Sequence, residues 1–135
     1  MPRAEILARF KKLGILSTPQ RLEVARILLS KPQHLSADEI IARLRRRHRK
    51  VSQATVYNCL KLFGEKGLVK ERIVDAERRF YDSTTTPHHH FYNVDTGELS
   101  DIPADSVELS GLPPLPDGTV LEGAELVLRI RNTRD

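Results

Sequence analysis

The stretch that decides the fold is residues 51–82, which read VSQATVYNCLKLFGEKGLVKERIVDAERRFYD. In its first half the apolar residues recur at helical spacing and Ser52 is a suitable N-cap, which predicts a helix over 53–66. In its second half the apolar period shortens to two residues on either side of a turn at 75–76, which predicts a β-hairpin that ends at Asp82. A helix followed directly by a basic hairpin is the pattern of a winged helix-turn-helix, in which the helix enters the major groove and the hairpin forms the wing.

Three more helices are predicted upstream of this stretch. Apolar residues at helical spacing mark the first helix over 3–13, and Thr18 followed by Pro19 marks the start of a second helix that runs to about Ser30. The run Ser36-Ala37-Asp38-Glu39 is a capping box that opens a third helix. In a helix-turn-helix the third helix would support the fourth, so the order of the helices agrees with the fold predicted from the hairpin.

The predicted recognition helix carries polar side chains on its first turns, where such helices meet base edges. Gln and Asn can pair with adenine, and Thr and Tyr can contact a thymine methyl, so we expect an A·T-rich operator. The basic residues between 45 and 50 would contact phosphates and so add affinity for DNA rather than sequence specificity. Arg72, Arg78 and Arg79 on the wing would act in the same way. The predicted DNA-binding residues are Lys11, Lys12, Arg45, Arg46, Arg47, Arg49, Lys50, Ser52, Gln53, Thr55, Tyr57 and Asn58.

Two of these interpretations have an open alternative. Tyr57 stands at helical spacing from Leu60 and could pack in the core, and the arginine run could be the solvated end of a helix. The charge distribution bears on this choice. The formal net charge is +4, but residues 1–82 hold 19 Lys and Arg against 9 Asp and Glu, while residues 83–135 hold 3 against 9. A basic half joined to an acidic half favours a nucleic-acid module joined to a module of another kind.

The polar, turn-prone segment 83–87 is the predicted linker between these modules. We therefore expect an α+β protein with a winged-helix DNA-binding domain over 1–82 and a second domain over 88–135 that binds metal, dimerises, or does both. A domain of about 50 residues has a marginal core. The second domain is thus expected to gain stability from a bound metal, from a homodimer, or from both.

The second domain is predicted to consist mostly of β-structure. Strands over 88–93 and 98–103 flank a turn, the proline-rich residues 104–118 predict a loop or one short helical turn, and 126–131 predict a last strand. A four-residue turn at 94–97 fixes the pairing of the first two strands. His90 should therefore lie directly opposite Asp101.

Three consecutive histidines, His88, His89 and His90, begin the second domain. Side chains alternate along a strand, so His88 and His90 share a face with Asp101, and Asp82 ends the preceding wing. Imidazoles and carboxylates without thiolates suit Zn²⁺, Mn²⁺ or Fe²⁺ better than Cu⁺, and an imidazole row could also bind haem iron axially. A solvent-facing histidine–aspartate pair without an ion is the alternative.

The composition excludes several kinds of protein. Cys59 is the only cysteine, so the chain can form neither an internal disulfide nor a cysteine-based zinc site. No stretch approaches the roughly 18 apolar residues of a membrane span, and the N-terminus lacks the apolar region of a signal peptide. We therefore expect a soluble, cytoplasmic protein with no membrane partner.

Four stretches resemble the DNA-binding half of the ferric uptake regulator (Fur) family, and the histidine cluster resembles its sensor half. They are Thr18-Pro19-Gln20-Arg21, His34-Leu35-Ser36-Ala37-Asp38-Glu39, Ala54-Thr55-Val56-Tyr57-Asn58-Cys59-Leu60 and Gly67-Leu68-Val69. The resemblance covers nearly the whole chain. It implies a homodimeric, metal-responsive repressor with a winged-helix domain and an α/β dimerisation domain.

The resemblance also implies a ligand set. In the family the regulatory ion is held by a histidine before the third helix, an acidic residue that ends the wing, an H-x-H pair, and an acidic residue 11 positions later. Those positions hold His34, Asp82, His88, His90 and Asp101 in this chain. One ion there would join both domains, which is how metal could change DNA affinity. A second family site would fall on His89, Glu108 and Glu125.

One departure from the family pattern is informative. Many relatives carry a CxxC motif after the H-x-H pair that binds structural zinc, but Asn93 and Thr96 stand at those positions here, so we expect no structural zinc held by four cysteines. The missing motif, the histidine triplet, the stretch Arg78-Arg79-Phe80-Tyr81-Asp82 and the proline-rich loop together resemble the iron response regulator (Irr) branch. That branch is linked to haem, which makes His88, His89 and His90 candidate haem ligands.

These observations predict a metal- or haem-responsive transcriptional regulator of iron homeostasis, and not an enzyme. A peroxide-sensing, Fe- or Mn-dependent repressor of the same family is the alternative, and a DNA-binding protein with purely structural histidines is another. A metal-dependent hydrolase is least expected, because five ligands would close the site and the sequence offers no separate general base. The sequence leaves open whether metal-loaded protein binds or releases DNA.

Overall fold

The computed structural model describes residues 1–75, 78–86 and 88–134, without the side chains of Asp75 and Arg78. It divides the chain into two compact units, Met1–Thr85 and Thr86–Asp135. Ala76 of the predicted wing turn, Glu77 of the predicted wing strand, Pro87 of the predicted linker and Asp135 of the predicted second domain lie outside the described residues. The bounds proposed from the sequence for the two domains and their linker stay a prediction.

The first unit contains four helices and a three-stranded sheet among its described residues. Its elements are α1 (Arg3–Leu13), α2 (Pro19–Leu28), β1 (His34–Leu35), α3 (Ala37–Arg46), α4 (Gln53–Glu65), β2 (Lys70–Asp75) and β3 (Arg78–Asp82). The helices and the hairpin strands agree with the sequence prediction to within about two residues at each end. The sequence does not predict β1, which joins the hairpin from a distant part of the chain and makes the strand order β1-β3-β2.

Side-chain caps explain where three of the helices begin. Thr18 Oγ1 accepts a hydrogen bond from the Arg21 backbone N–H at 3.2 Å, and Pro19 occupies the first helical position of α2. The predicted capping box that opens α3 is present in both directions. Ser52 Oγ accepts from the Thr55 N–H at 3.1 Å and starts α4. The Ser52 cap thus places the first turn of the predicted recognition helix.

The core of the first unit fixes which face of α4 is left outside. Val56, Leu60 and Phe63 of α4 are 0% exposed, and the Phe63 ring lies against Phe10 of α1 with centroids 5.6 Å apart. Burying each such side chain contributes about 1.5–3 kcal/mol. Because the apolar stripe of α4 faces the other helices, the polar side chains of its first turns stay on the surface.

The small sheet of the first unit positions two of the predicted metal ligands. In the antiparallel pairing of β1 with β3, His34 lies opposite Asp82. In the pairing of β2 with β3, Lys70 lies opposite Asp82 and Arg72 opposite Phe80, with an irregularity between Ile73 and Asp75. Strand β3 is therefore the central strand and carries Asp82 between two neighbours.

The second unit is a three-stranded sheet in the order β5-β4-β6. Its elements are β4 (His89–Asn93), β5 (Leu99–Ile102), a 3-10 turn (Ala104–Ser106) and β6 (Val127–Ile130). The predicted pairing is confirmed, because β4 and β5 are antiparallel and His90 lies opposite Asp101. At the turn between them, Asn93 Oδ1 accepts from the Asp95 N–H at 2.9 Å, and Gly97 has a left-handed φ of 74°.

The last strand pairs with β4 in parallel, with Phe91 beside Leu128. Parallel neighbours need a crossover of a dozen or more residues, and the proline-rich segment supplies that length. Apart from the single 3-10 turn, the described part of this segment forms neither helix nor strand, as the sequence predicts. No helix among the described residues has the length and apolar character needed to cross a membrane.

Candidate metal centre and nucleic-acid surface

Two imidazoles and one carboxylate converge in the second unit. The Nε2 atoms of His88 and His90 each lie 3.3 Å from Asp101 Oδ1, and the two ring centroids are 4.4 Å apart. One ligand atom from each of the three residues lies within 4.8 Å of the others. His90 is 1% exposed and His88 is 8% exposed, whereas the Asp101 side chain is 54% exposed. The cluster therefore has buried nitrogen donors and one solvent-facing oxygen donor.

The hydrogen bond at the other nitrogen of His88 orients its ring. His88 Nδ1 lies 2.8 Å from the Thr86 carbonyl oxygen, and a carbonyl only accepts, so Nδ1 carries a proton. In the neutral ring this leaves the lone pair on Nε2, which points at Asp101. With the lone pair on Nε2, this nitrogen and the Asp101 oxygen at 3.3 Å are both able to donate an electron pair to one cation between them. The donor set thus fits a divalent metal ion.

His89 accepts a hydrogen bond from a backbone N–H, whereas its two neighbours face Asp101. It is 7% exposed, and its Nδ1 accepts a hydrogen bond from the Leu126 backbone N–H at 2.8 Å, next to the start of β6. The sequence does not predict this contact, because it joins residues 37 positions apart. Glu108 and Glu125, its proposed partners in a second metal site, are exposed. That second site stays a prediction.

The remaining predicted metal ligands belong to the first unit. His34 is half-buried, and its ring lies edge-on to Phe80 with centroids 6.1 Å apart. Asp82 is 1% exposed, and its Oδ1 accepts from the Thr84 backbone N–H at 2.9 Å. The pairing of β1 with β3 places these two residues on neighbouring strands.

One sequence interpretation is wrong. Arg72 is not available to DNA phosphates from the wing, because it is 4% exposed and its Nε lies 3.5 Å from Asp82 Oδ2. The alternation of β2 turns Arg72 inward on the same face as Val74 and leaves Ile73 61% exposed, so the burial of Arg72 and the exposure of Ile73 are the reverse of what hydrophobicity predicts. Arg79, by contrast, is exposed on β3 and pairs with Glu71 at 3.2 Å. The side chain of Arg78 lies outside the described residues.

The first turns of α4 present most of the predicted base-contacting side chains to solvent. Gln53 and Asn58 are exposed and Tyr57 is 45% exposed, so Tyr57 lies outside the core. The hydroxyls of Ser52 and Thr55 hydrogen-bond each other at 2.8 Å within the cap. A cavity of about 650 Å³ lies between α4 and the β2–β3 hairpin. It is lined by Tyr57, Asn58, Lys61, Gly64, Glu65, Val69, Lys70, Glu71, Arg79 and Tyr81.

Exposed basic side chains lie just before this helix in the chain and on α1. The five predicted phosphate contacts between 45 and 50 are all exposed, and Arg49 Nε lies 3.6 Å from Glu23 Oε2. Lys11 and Lys12 are exposed on the last turn of α1. Cys59 points the other way and is buried, and burial raises the pKa of its thiol. The neutral, enclosed thiol offers no metal ligand at neutral pH.

The model of the ferric uptake regulator family matches residues 12–111. This chain belongs to the ferric uptake regulator family. It is similar to the peroxide-responsive repressor PerR of Staphylococcus epidermidis, with 35% identity over 97 residues that cover 72% of this chain and 65% of that protein. It is also similar to the peroxide operon regulator of Bacillus subtilis, with 39% identity over 98 residues, 72% of this chain and 67% of that one. The match thus spans about two thirds of these relatives.

Solved structures of the family share this fold. The ferric uptake regulator of Pseudomonas aeruginosa with manganese is similar at a TM-score of 0.72 and 26% identity, over 94% of this chain and 97% of that chain. The Vibrio cholerae ferric uptake regulator gives a TM-score of 0.73 at 23% identity, over 93% and 98% of the two chains. These likenesses confirm the predicted α+β fold class. The family consists of transcription regulators, which agrees with the expectation that the chain is not an enzyme.

Proposed function

We propose that this chain is a homodimeric, metal-responsive transcriptional regulator of iron homeostasis. The observation that carries the proposal is the convergence of His88 Nε2 and His90 Nε2 on Asp101 Oδ1. That cluster belongs to a chain whose other unit exposes a basic helix-turn-helix surface. A sensor cluster and a DNA-reading surface in one chain are the two parts that a metal-dependent regulator requires.

The regulatory ion is proposed to be Mn²⁺, Fe²⁺ or Zn²⁺. Imidazole nitrogen and carboxylate oxygen suit all three, and the similar structure from Pseudomonas aeruginosa was solved with manganese. His34 and Asp82 are proposed as further ligands, which the family resemblance implies.

The DNA partner is proposed to be an A·T-rich operator. Exposed Gln53 and Asn58 can each pair with adenine, and exposed Tyr57 can contact a thymine methyl. The arginines at the end of α3 and just after it would contact phosphates, so binding should weaken steeply with salt.

A homodimer is proposed because the second unit leaves many apolar side chains uncovered. The exposed large apolar residues of that unit are Phe91, Val94, Leu109, Leu112, Leu115, Val120, Leu121, Leu128 and Ile130. Strands β5 and β6 are the two edges of its sheet, so each also presents backbone groups that a second copy can pair with. Covering such a surface by a second chain is a common solution for a small domain.

Peroxide sensing is the second candidate function. The two relatives with 35% and 39% identity are named as a peroxide-responsive repressor and a peroxide operon regulator. The chemistry would add one oxygen atom from H₂O₂ to a ligand imidazole and release water. Mass spectrometry of iron-loaded protein after peroxide treatment tests it, because the peptide that contains His88 and His90 should gain about 16 Da, the mass of that one oxygen atom. An unchanged peptide would exclude this candidate.

The proposed function is tested by DNA-binding anisotropy on an A·T-rich duplex, with EDTA, with Mn²⁺ and with haem. A change in DNA affinity with Mn²⁺ supports metal regulation. Weaker binding with haem would support the proposed link to the Irr branch, whereas no response to haem favours a metal or peroxide sensor. Equal affinity in all three conditions would contradict the proposal, since the histidine cluster would then be structural.

A further inference from the structure

A buried arginine occupies the wing hairpin beside one of the proposed metal ligands. The side chains of Arg72 and Asp82 are 3% and 1% exposed, and Arg72 Nε lies 3.5 Å from Asp82 Oδ2. Arg72 Nη2 also donates to the Thr84 carbonyl at 3.5 Å. Burying a guanidinium and a carboxylate has a desolvation cost that their attraction only partly offsets. Stability alone therefore gives little reason for this pair.

The same hairpin holds a second ion pair that serves as an internal comparison. Arg79 Nη1 lies 3.2 Å from Glu71 Oε1, but these side chains are 60% and 36% exposed. A pair in water contributes little and needs no special explanation. Both are arginine–carboxylate pairs on the same hairpin. The Arg72 pair differs from the Arg79 pair because it is buried and because its carboxylate is a proposed metal ligand.

Both oxygens of the Asp82 carboxylate are engaged. Oδ1 accepts from the Thr84 backbone N–H at 2.9 Å, and Oδ2 faces the Arg72 guanidinium at 3.5 Å. An ion that bound this carboxylate would have to share it with a fixed positive charge a few ångströms away. Like charges at such a distance repel strongly where water is excluded.

We propose that Arg72 is the resident counter-ion of Asp82 and that it competes with the regulatory metal for this carboxylate. The inference rests on the proposed function, in which Asp82 is a metal ligand. In metal-free protein Arg72 compensates a buried negative charge that would otherwise destabilise the first unit. In metal-loaded protein the same charge lowers metal affinity. Arg72 thereby sets the metal concentration at which the regulator responds.

The proposal predicts two effects of opposite sign when the charge is removed. Arg72→Met should lower the melting temperature of metal-free protein, because Asp82 loses its compensating charge. It should also tighten Mn²⁺ binding, on the order of tenfold to a hundredfold, because the repulsion is gone. The rise in melting temperature on adding Mn²⁺ should be larger in the variant than in the parent.

The experiment is calorimetric titration of the EDTA-treated, dialysed full-length chain with MnCl₂, together with thermal unfolding with and without Mn²⁺. Arg79→Met is the matched control, since it removes a charge of the same kind from the exposed pair, and its Mn²⁺ affinity should stay within about twofold of the parent. Asp82→Asn should weaken Mn²⁺ binding. An Arg72→Met protein with unchanged or weaker Mn²⁺ binding would overturn the proposal.

Two further measurements keep the test decisive. If Arg72→Met does not fold, Arg72→Gln retains a hydrogen-bond donor without the charge and should show the same tightening, and its failure to do so overturns the proposal. Titrations of the parent and of His88→Ala/His90→Ala distinguish a failure of the proposed function from a failure of the proposed role of Arg72. A parent that binds no Mn²⁺ refutes the proposed function, whereas a parent whose binding needs the histidines but ignores Arg72 refutes only the role of Arg72.

Discussion

Every member of the hydrophobic core cluster lies between Ile6 and Tyr81, in the first unit, and most members come from its helices. In the second unit the buried apolar side chains among the described residues are only Tyr92, Leu99 and Ile102. The second unit buries three histidines instead and exposes many of its large apolar side chains. The difference shows that the first unit is stabilised by its own packing, whereas the second buries little apolar surface, as expected of a unit stabilised by the proposed ion and partner surface. A unit that depends on an ion for stability is suited to sense it.

The largest effect should come from cutting into the packed core of the first unit. Phe63→Ala removes a fully buried ring that packs on Phe10, so the free energy of unfolding should fall by about 3–5 kcal/mol. Urea denaturation measures it. Leu16→Ala is the control, because Leu16 is 76% exposed and its loss should change stability by less than about 0.5 kcal/mol. Equal effects of the two changes would mean that the first unit is not stabilised by this core.

Removing histidines from the cluster should weaken metal binding and so reduce the stabilisation that the ion gives the second unit. His88→Ala/His90→Ala removes two of the three converging donors, so Mn²⁺ affinity should fall by roughly a hundredfold or more, which corresponds to about 2.7 kcal/mol of lost ligand stabilisation. Titration calorimetry and the Mn²⁺-induced melting shift measure it.

The fifth histidine supplies a control for this change. His48 is exposed in a left-handed turn with a φ of 56°, a conformation that asparagine tolerates, so His48→Asn should leave metal binding unchanged. Retained Mn²⁺ affinity and an unchanged DNA response in His88→Ala/His90→Ala would contradict both the metal site and the comparison between the units.

The two units also differ in how far the sequence predicts them. Sequence signals that act within a few residues predict the helix caps at Thr18, Ser36 and Ser52. The length of the four-residue turn predicts the pairing of His90 with Asp101. A hairpin of known turn length leaves little choice of register.

Contacts between distant parts of the chain were not predictable in the same way. The strand that pairs His34 with Asp82 and the hydrogen bond from Leu126 to His89 depend on tertiary packing. The burial of Arg72 in place of Ile73 reverses the hydrophobic pattern, because a buried carboxylate at Asp82 compensates the arginine. The two-residue period of a strand shows that its side chains alternate between two faces, but it does not show which of the two faces is buried.

A smaller effect should follow from the structural histidine. His89→Leu keeps an apolar side chain of similar size but removes the acceptor of the Leu126 N–H, which should cost about 1–3 kcal/mol. Hydrogen exchange should show faster exchange at the Leu126 amide, and His89→Gln should restore part of the protection because an amide oxygen can accept. An unchanged exchange rate at the Leu126 amide would contradict the structural role of His89. A drop in the number of Mn²⁺ ions bound per chain would instead support the second metal site.

The smallest effects should lie on the basic surface of the first unit, where side chains carry affinity for DNA and little stability. Arg47→Ala should reduce the magnitude of the slope of log affinity against log salt by about 0.9 for each protomer bound, because each protomer loses one phosphate contact and the counterion release that goes with it. Arg49→Ala should lower it by less, since Arg49 lies 3.6 Å from the Glu23 carboxylate, which already offsets part of its charge. Both variants should unfold within about 0.5 kcal/mol of the parent. Anisotropy titrations across salt concentrations measure the slopes, and equal slopes for the two variants would mean that Arg49 leaves Glu23 when DNA binds.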